Sequence, residues 1–195
     1  MHRPARMLRW LRRLVAAAAV LAAAAPLQGQ VGAVGPARVI ALAAIKPGTL
    51  TVGVLSGMVQ NMANVQDNAL NTWPTPVVIQ TQWNVNPGQT NTVELMAYFT
   101  LPSQAMVGGT TQIPSSRLQG RMATGLPVAF TAFTQNAVGG IGTGGGSLRL
   151  FTQIITGINK NSSRTDNLDL QLDLTGTALA PGTYSGTLNI RAVTQ

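Results

Sequence analysis

The chain has 195 residues but no cysteine, one histidine and five acidic residues, and only 9% of its side chains are charged. Without cysteine there is no disulfide, no thiolate nucleophile, no iron–sulfur cluster and no cysteine-ligated zinc. The histidine is His2, in a stretch expected to be cleaved off, so the remaining chain has no imidazole to act as base or metal ligand. Neither G-x-S-x-G nor S-x-x-K occurs downstream of that stretch, which removes the common serine-nucleophile motifs. The acids are Asp67, Glu94, Asp166, Asp169 and Asp173. Asp169 and Asp173 share one face of a strand, but four residues at ~3.3 Å each separate them by about 13 Å. Glycosidase carboxyl pairs lie about 5–9.5 Å apart. The expectation is a protein that is not an enzyme, with no catalytic residue, no cofactor and no metal.

Basic residues, by contrast, are concentrated at one end. Arg3, Arg6, Arg9, Arg12 and Arg13 precede an apolar run from Leu14 to Ala25 that stops at Pro26. A basic segment, a short apolar segment and then small and polar residues is the layout of a secretory signal peptide. Twelve residues at about 1.5 Å each make roughly 18 Å of helix, short of the ~30 Å needed to span a bilayer. Residues 1–30 are therefore read as a helical signal peptide cleaved between about 27 and 34, and residues 31–195 as a single domain. The eight basic residues left (Arg38, Lys46, Arg117, Arg121, Arg149, Lys160, Arg164, Arg191) exceed the five acids by three and are scattered. Nucleic-acid binding needs clustered positive charge, so it is not expected. The membrane is expected to matter only during export, by the general secretory route, to the periplasm, the cell surface or the medium.

The dominant pattern of the mature part is two-residue alternation. In Asn167–Leu174, Leu168, Leu170, Leu172 and Leu174 fall on one face, and Asn167, Asp169, Gln171 and Asp173 on the other. That describes a strand with one buried and one wet face. Asn91–Thr100 repeats it, with Val93, Leu95, Ala97 and Phe99 opposite Glu94, Met96 and Tyr98. Further strands are predicted at Val39–Ile45, Leu50–Leu55, Val77–Trp83, Val128–Phe133, Leu148–Ile155 and Thr183–Val193. Residues 57–70 fit a helix and a strand equally. Lys46-Pro47-Gly48, Asn86-Pro87-Gly88 and Ala180-Pro181-Gly182 suit type II turns, in which Gly takes a positive φ. The fold class expected is all-β, an antiparallel Ig-like β-sandwich of about eight or nine strands.

The segment Leu179-Ala180-Pro181-Gly182-Thr183-Tyr184-Ser185-Gly186-Thr187-Leu188-Asn189-Ile190 resembles the closing hairpin of secreted bacterial Ig-like modules of the pilin-like and spore-coat-U-like kind. The resemblance covers about the last 17 residues and implies a structural role for Tyr184, whose hydroxyl would bond nearby backbone as in the tyrosine corner. Two departures stand against pilin-type assembly: Thr194 occupies the penultimate position where pilins carry an aromatic, and the strand count is complete.

Three motifs invite chemistry and are better read as structure. Gly140, Gly142 and Gly145 match G-x-G-x-x-G, but an alternating strand follows where a dinucleotide site needs a helix. Asn159–Asp166 is oxygen-rich, yet it holds one acid beside Lys160 and Arg164, too little for calcium, and reads as a polar hairpin loop. Trp83 alternates with Val77 and Ile79 and is expected in the core, whereas Trp73 and Tyr98 are free to stack on a ligand. Few charges and many β-formers leave strand edges open to pairing. The function expected is a non-catalytic, exported structural or adhesive surface subunit, of pilus-like kind, joined to itself or to other subunits by strand addition, with Val39, Ala41, Ala43 and Ile45 as the partner strand. The alternative is a secreted module that binds a glycan or another surface polymer through Trp73 or Tyr98.

Overall fold

A computed structural model describes residues 48–88 and 90–195. The leader and the predicted strand Val39–Ile45 lie outside them. The described residues form eleven strands: β1 (Thr49–Ser56), β2 (Leu70–Thr72), β3 (Val77–Asn84), β4 (Thr92–Tyr98), β5 (Met106–Gly108), β6 (Thr111–Ile113), β7 (Leu118–Met122), β8 (Thr131–Ala132), β9 (Ser147–Ile154), β10 (Asn161–Asp173) and β11 (Asn189–Thr194). Every pairing is antiparallel. One sheet runs β1-β3-β10-β7-β8, with β2 added to β10 beyond the end of β3, and the other runs β11-β4-β9. Between them lies one apolar core, to which Leu50, Ile79, Leu168, Leu95, Leu148 and Ala192 contribute, so the expected antiparallel β-sandwich is what the chain forms.

The strands read from alternation coincide with β1, β3, β4, β9 and most of β10. Four readings need correction. First, Asn161 to Asp166 is strand rather than loop: it pairs with β3 from Asn161 opposite Asn84 to Asp166 opposite Ile79. Its polar residues mask the pattern because Arg164 and Asp166 neutralise each other on the inward side, Nε donating to Oδ2 at 2.7 Å. Second, the Glu94, Met96 and Tyr98 face of β4 is not wet, since all three are buried. The glycine-rich stretch between β8 and β9 folds back over it. Gln135 accepts from the Arg149 N–H at 2.7 Å, and a Cβ on Gly139, where φ is +57°, would sit 3.0 Å from both methyls of Val193 on β11. Third, Val128–Phe133 and Thr183–Val193 shrink to β8 and β11, because a strand needs a ladder partner and only Ser185, bridged to Val107, has one before Asn189. Fourth, Gly88 and Gly182 do not adopt the left-handed φ that type II turns require, while the turn predicted at Lys46-Pro47-Gly48 lies largely outside the described residues. Residues 57–69 are neither helix nor strand; they form an irregular wall over the end of the sandwich.

Strands β2, β5, β6 and β7 escaped the sequence pattern. β2, β5 and β6 have three residues each, too few for a period to show. In β7 the inward positions are Leu118, Gly120 and Met122. The middle one carries no apolar signal, yet a Cβ there would meet Leu148 at 2.8 Å and Leu168 at 3.1 Å, so glycine is what the packing permits.

Candidate binding cleft

At one end of the sandwich two non-strand segments face each other. One is the wall of residues 57–69; the other is the stretch from Thr175 to Leu188 that leads into β11. Side-chain anchors hold both. Asn71, on β2 and buried, donates to the carbonyls of Gln66 at 2.9 Å and Ala69 at 3.1 Å, and its Oδ1 accepts from the Gln66 N–H at 2.7 Å. Asp67 Oδ1 accepts from the Leu179 N–H at 2.9 Å, and the Asn68 N–H donates to Thr177 O at 3.1 Å, tying one wall to the other. Asn68 reaches that geometry at φ +53°, a left-handed conformation that asparagine tolerates. On the second wall the Tyr184 hydroxyl donates to Ala180 O at 2.9 Å, closing the Pro181-Gly182 bend over its own ring.

The space between the walls has two compartments. The outer one, of 830 Å³, is rimmed by Gln60, Asn61, Asn64, Gln66 and Asp67 on one side and Ala180 to Tyr184 on the other. The inner one, of 620 Å³, passes between Val54 of β1 and Leu188 and reaches Phe99, Phe133 and Ile190 of the core. Trp73, Met106 and Tyr184 line both. The apolar residues packed against the core yet only partly buried (Val54, Trp73, Met106, Leu170, Leu179, Tyr184 and Leu188) all border this space. Among the described residues the core is thus left open here, with apolar side chains lining the space. A hydrophobic cleft of this size with a polar rim is the ordinary form of a binding site.

The structure separates the aromatics that the sequence analysis singled out. Trp73 lines the cleft half-buried. Tyr98 lies in the buried face of β4, 7% exposed, and cannot stack on a ligand, which corrects that expectation. Trp83 is in the core at the opposite end of β3, its Nε1 donating to Asn159 O at 2.8 Å. Gly182 and Tyr184 stand on the cleft wall. The amides of residues 60–66 and the brace Asn71 were not found from sequence. Their only signal was a polar stretch without periodicity, which is what an irregular wall looks like.

The five carboxylates sit apart from one another in structural contacts. Asp169 accepts from Arg121 at 2.9 and 3.1 Å. Glu94 faces Arg149 at 3.7 Å. Asp166 is paired with Arg164, and Asp67 caps Leu179. Asp173 accepts from the Thr175 N–H at 2.9 Å and Gln119 Nε2 at 3.2 Å. Among the described residues, no group of three or more His, Cys, Asp or Glu is placed to hold a metal ion. The Thr175 backbone and hydroxyl bonds, helped by the Arg117 charge and opposed by burial, hold the Asp173 carboxyl below its ordinary 3.8. A lowered folded value stabilises the fold above the unfolded carboxylate range, and that contribution is lost as pH falls through the folded value. Acidification from about pH 5 to pH 2 is therefore expected to lower the melting temperature less in Asp173→Asn than in the wild type, as thermal denaturation followed by circular dichroism would show.

Comparison of the chain with protein-family models, with curated proteins and with solved structures finds no match.

Proposed function

We propose that this protein is an exported, non-catalytic β-sandwich that serves as a structural or adhesive surface subunit, joined to its partner by strand addition beside β1. The observation that carries this reading is the inner compartment, an opening into the core between Val54 and Leu188. Among the described residues β1 pairs with β3 on one side only, so its other side offers N–H and C=O groups to an incoming strand. An added strand with apolar residues at alternate positions would bond to that edge and turn those residues into the compartment. Val39, Ala41, Ala43 and Ile45 have that spacing, and they precede β1 across only Lys46-Pro47-Gly48. The same segment can serve its own β1 or that of a second copy; assembly follows in the second case.

Deleting residues 31–46 from the exported chain is expected to abolish self-association in size-exclusion chromatography with light scattering while leaving the far-ultraviolet β signal. Leu188→Gln, at the mouth of the compartment, is expected to weaken association about tenfold by removing apolar contact. An oligomer unchanged by both overturns the reading.

A further inference from the structure

The outer compartment differs chemically from the inner one. Among the described residues its single charged side chain is Asp67, which already accepts from Leu179. The exposed side chains of Asn61, Asn64 and Gln66 make no hydrogen bond among the described residues, and the Gln66 backbone is held by Asn71. Each amide presents a donor pair and an acceptor side by side. The same space is lined by Trp73, whose backbone N–H donates to Leu170 O at 3.0 Å and whose side chain packs against the core, and by Tyr184, whose ring is held through its hydroxyl. Aromatic faces carry partial negative charge and attract the weakly positive C–H faces of a saturated ring. Groups that both donate and accept match hydroxyls, which also do both.

From this juxtaposition we propose that the outer compartment is a binding site for a neutral polysaccharide, with Trp73 and Tyr184 as the platform and Asn61, Asn64 and Gln66 as the hydroxyl-reading edge. Its 830 Å³ lies within the range of about 300–1,000 Å³ typical of small-ligand sites and is open along the wall, so a polymer can pass through it. The absence of basic side chains on these walls disfavours acidic polymers. The Tyr184 ring, held by its hydroxyl, and the Trp73 ring, packed against the core, need little ordering on binding, which favours affinity. This site does not rest on the strand-addition reading. It shares Gln60, Asn61, Trp73, Met106, Thr183 and Tyr184 with the inner compartment but not the edge of β1.

The test is native affinity electrophoresis of the full exported chain in gels containing hydroxyethyl cellulose, galactomannan or dextran, with alginate as the acidic comparison. Retardation is expected in at least one neutral gel and none in alginate. Asn64→Ala, an exposed change that the fold tolerates, is expected to weaken retention about fivefold with an unchanged melting temperature. Trp73→Ala is expected to abolish it. Deleting residues 31–46 is expected to leave retention as it is, so that a failure of assembly and a failure of this site are read separately. Retardation in no neutral gel, stronger retardation in alginate, or retention indifferent to both Asn64→Ala and Trp73→Ala overturns the proposal.

Discussion

Asp166→Ala is expected to lower the unfolding free energy by about 3 kcal/mol, near the lower end of what breaking a buried ion pair costs. Asp166 is 1% exposed, on the inward face of β10, and it takes the Arg164 guanidinium in a two-pronged contact at 2.5 and 2.7 Å. The guanidinium lies 4.2 Å from the centre of the Phe151 ring of the facing sheet. Removing the carboxylate leaves a charge whose side chain is only 26% exposed, with the ring as a partial substitute for its counterion. That residual exposure and the ring are why the lower end applies. Replacing both partners, Arg164→Met with Asp166→Leu, is expected to recover most of the loss, because the desolvation of two charged groups disappears with them. Urea denaturation of the three proteins decides it. A single variant within 1 kcal/mol of wild type, on the scale of an exposed pair, would mean that water already reaches the guanidinium.

Phe133→Ala is expected to cost about 3–4 kcal/mol. Phe133 is fully buried just beyond β8 and meets Phe99 edge-to-face, with centroids 5.2 Å apart. The range stops short of the largest core truncations because Phe133 also lines the inner compartment, so solvent or a bound side chain can fill part of the void. The same variant therefore carries a functional signature. It is expected to accept a bulkier residue on an added strand than the wild type does, which competition between synthetic peptides carrying alanine or phenylalanine at one inward position would show. A loss of stability without that change in preference would place the side chain in the core alone.

How far the sequence could be read follows from what each residue is answering to. Leu168, Leu172 and Leu174 answer to a single sheet face, and their period gave the second half of β10 directly. Trp83 likewise fell where its alternation with Ile79 put it. Arg164 and Asp166 answer to each other, so a polar pair on an inward face looked like a loop. Met96 and Tyr98 are buried by a glycine-rich segment far along the chain, and no local pattern in β4 records that cover. Gly120 is invisible because its role is to have no side chain between Leu148 and Leu168. The cleft was hidden for a related reason. Its walls are non-periodic, and it comes into being only when Asp67 meets Leu179 and brings Trp73 and Tyr184, distant in sequence, to line one space.

The strand order also bears on how the chain reaches its fold. Neither principal sheet is built from local pairs alone: β3 waits for β10, and β4 is flanked by β9 and β11, with Thr92 opposite Ile154 and Tyr98 opposite Asn189. Only the β1–β3, β5–β6 and β7–β8 pairs are local. Loop closure over such separations must precede the contacts that reward it, which makes refolding a process of milliseconds to seconds rather than microseconds. A chain still lacking β9 to β11 can complete neither sheet. Both sheets close only once the segment from Ser147 onward is present, so a chain cut before it leaves β4 with neither of its partners and β3 with one.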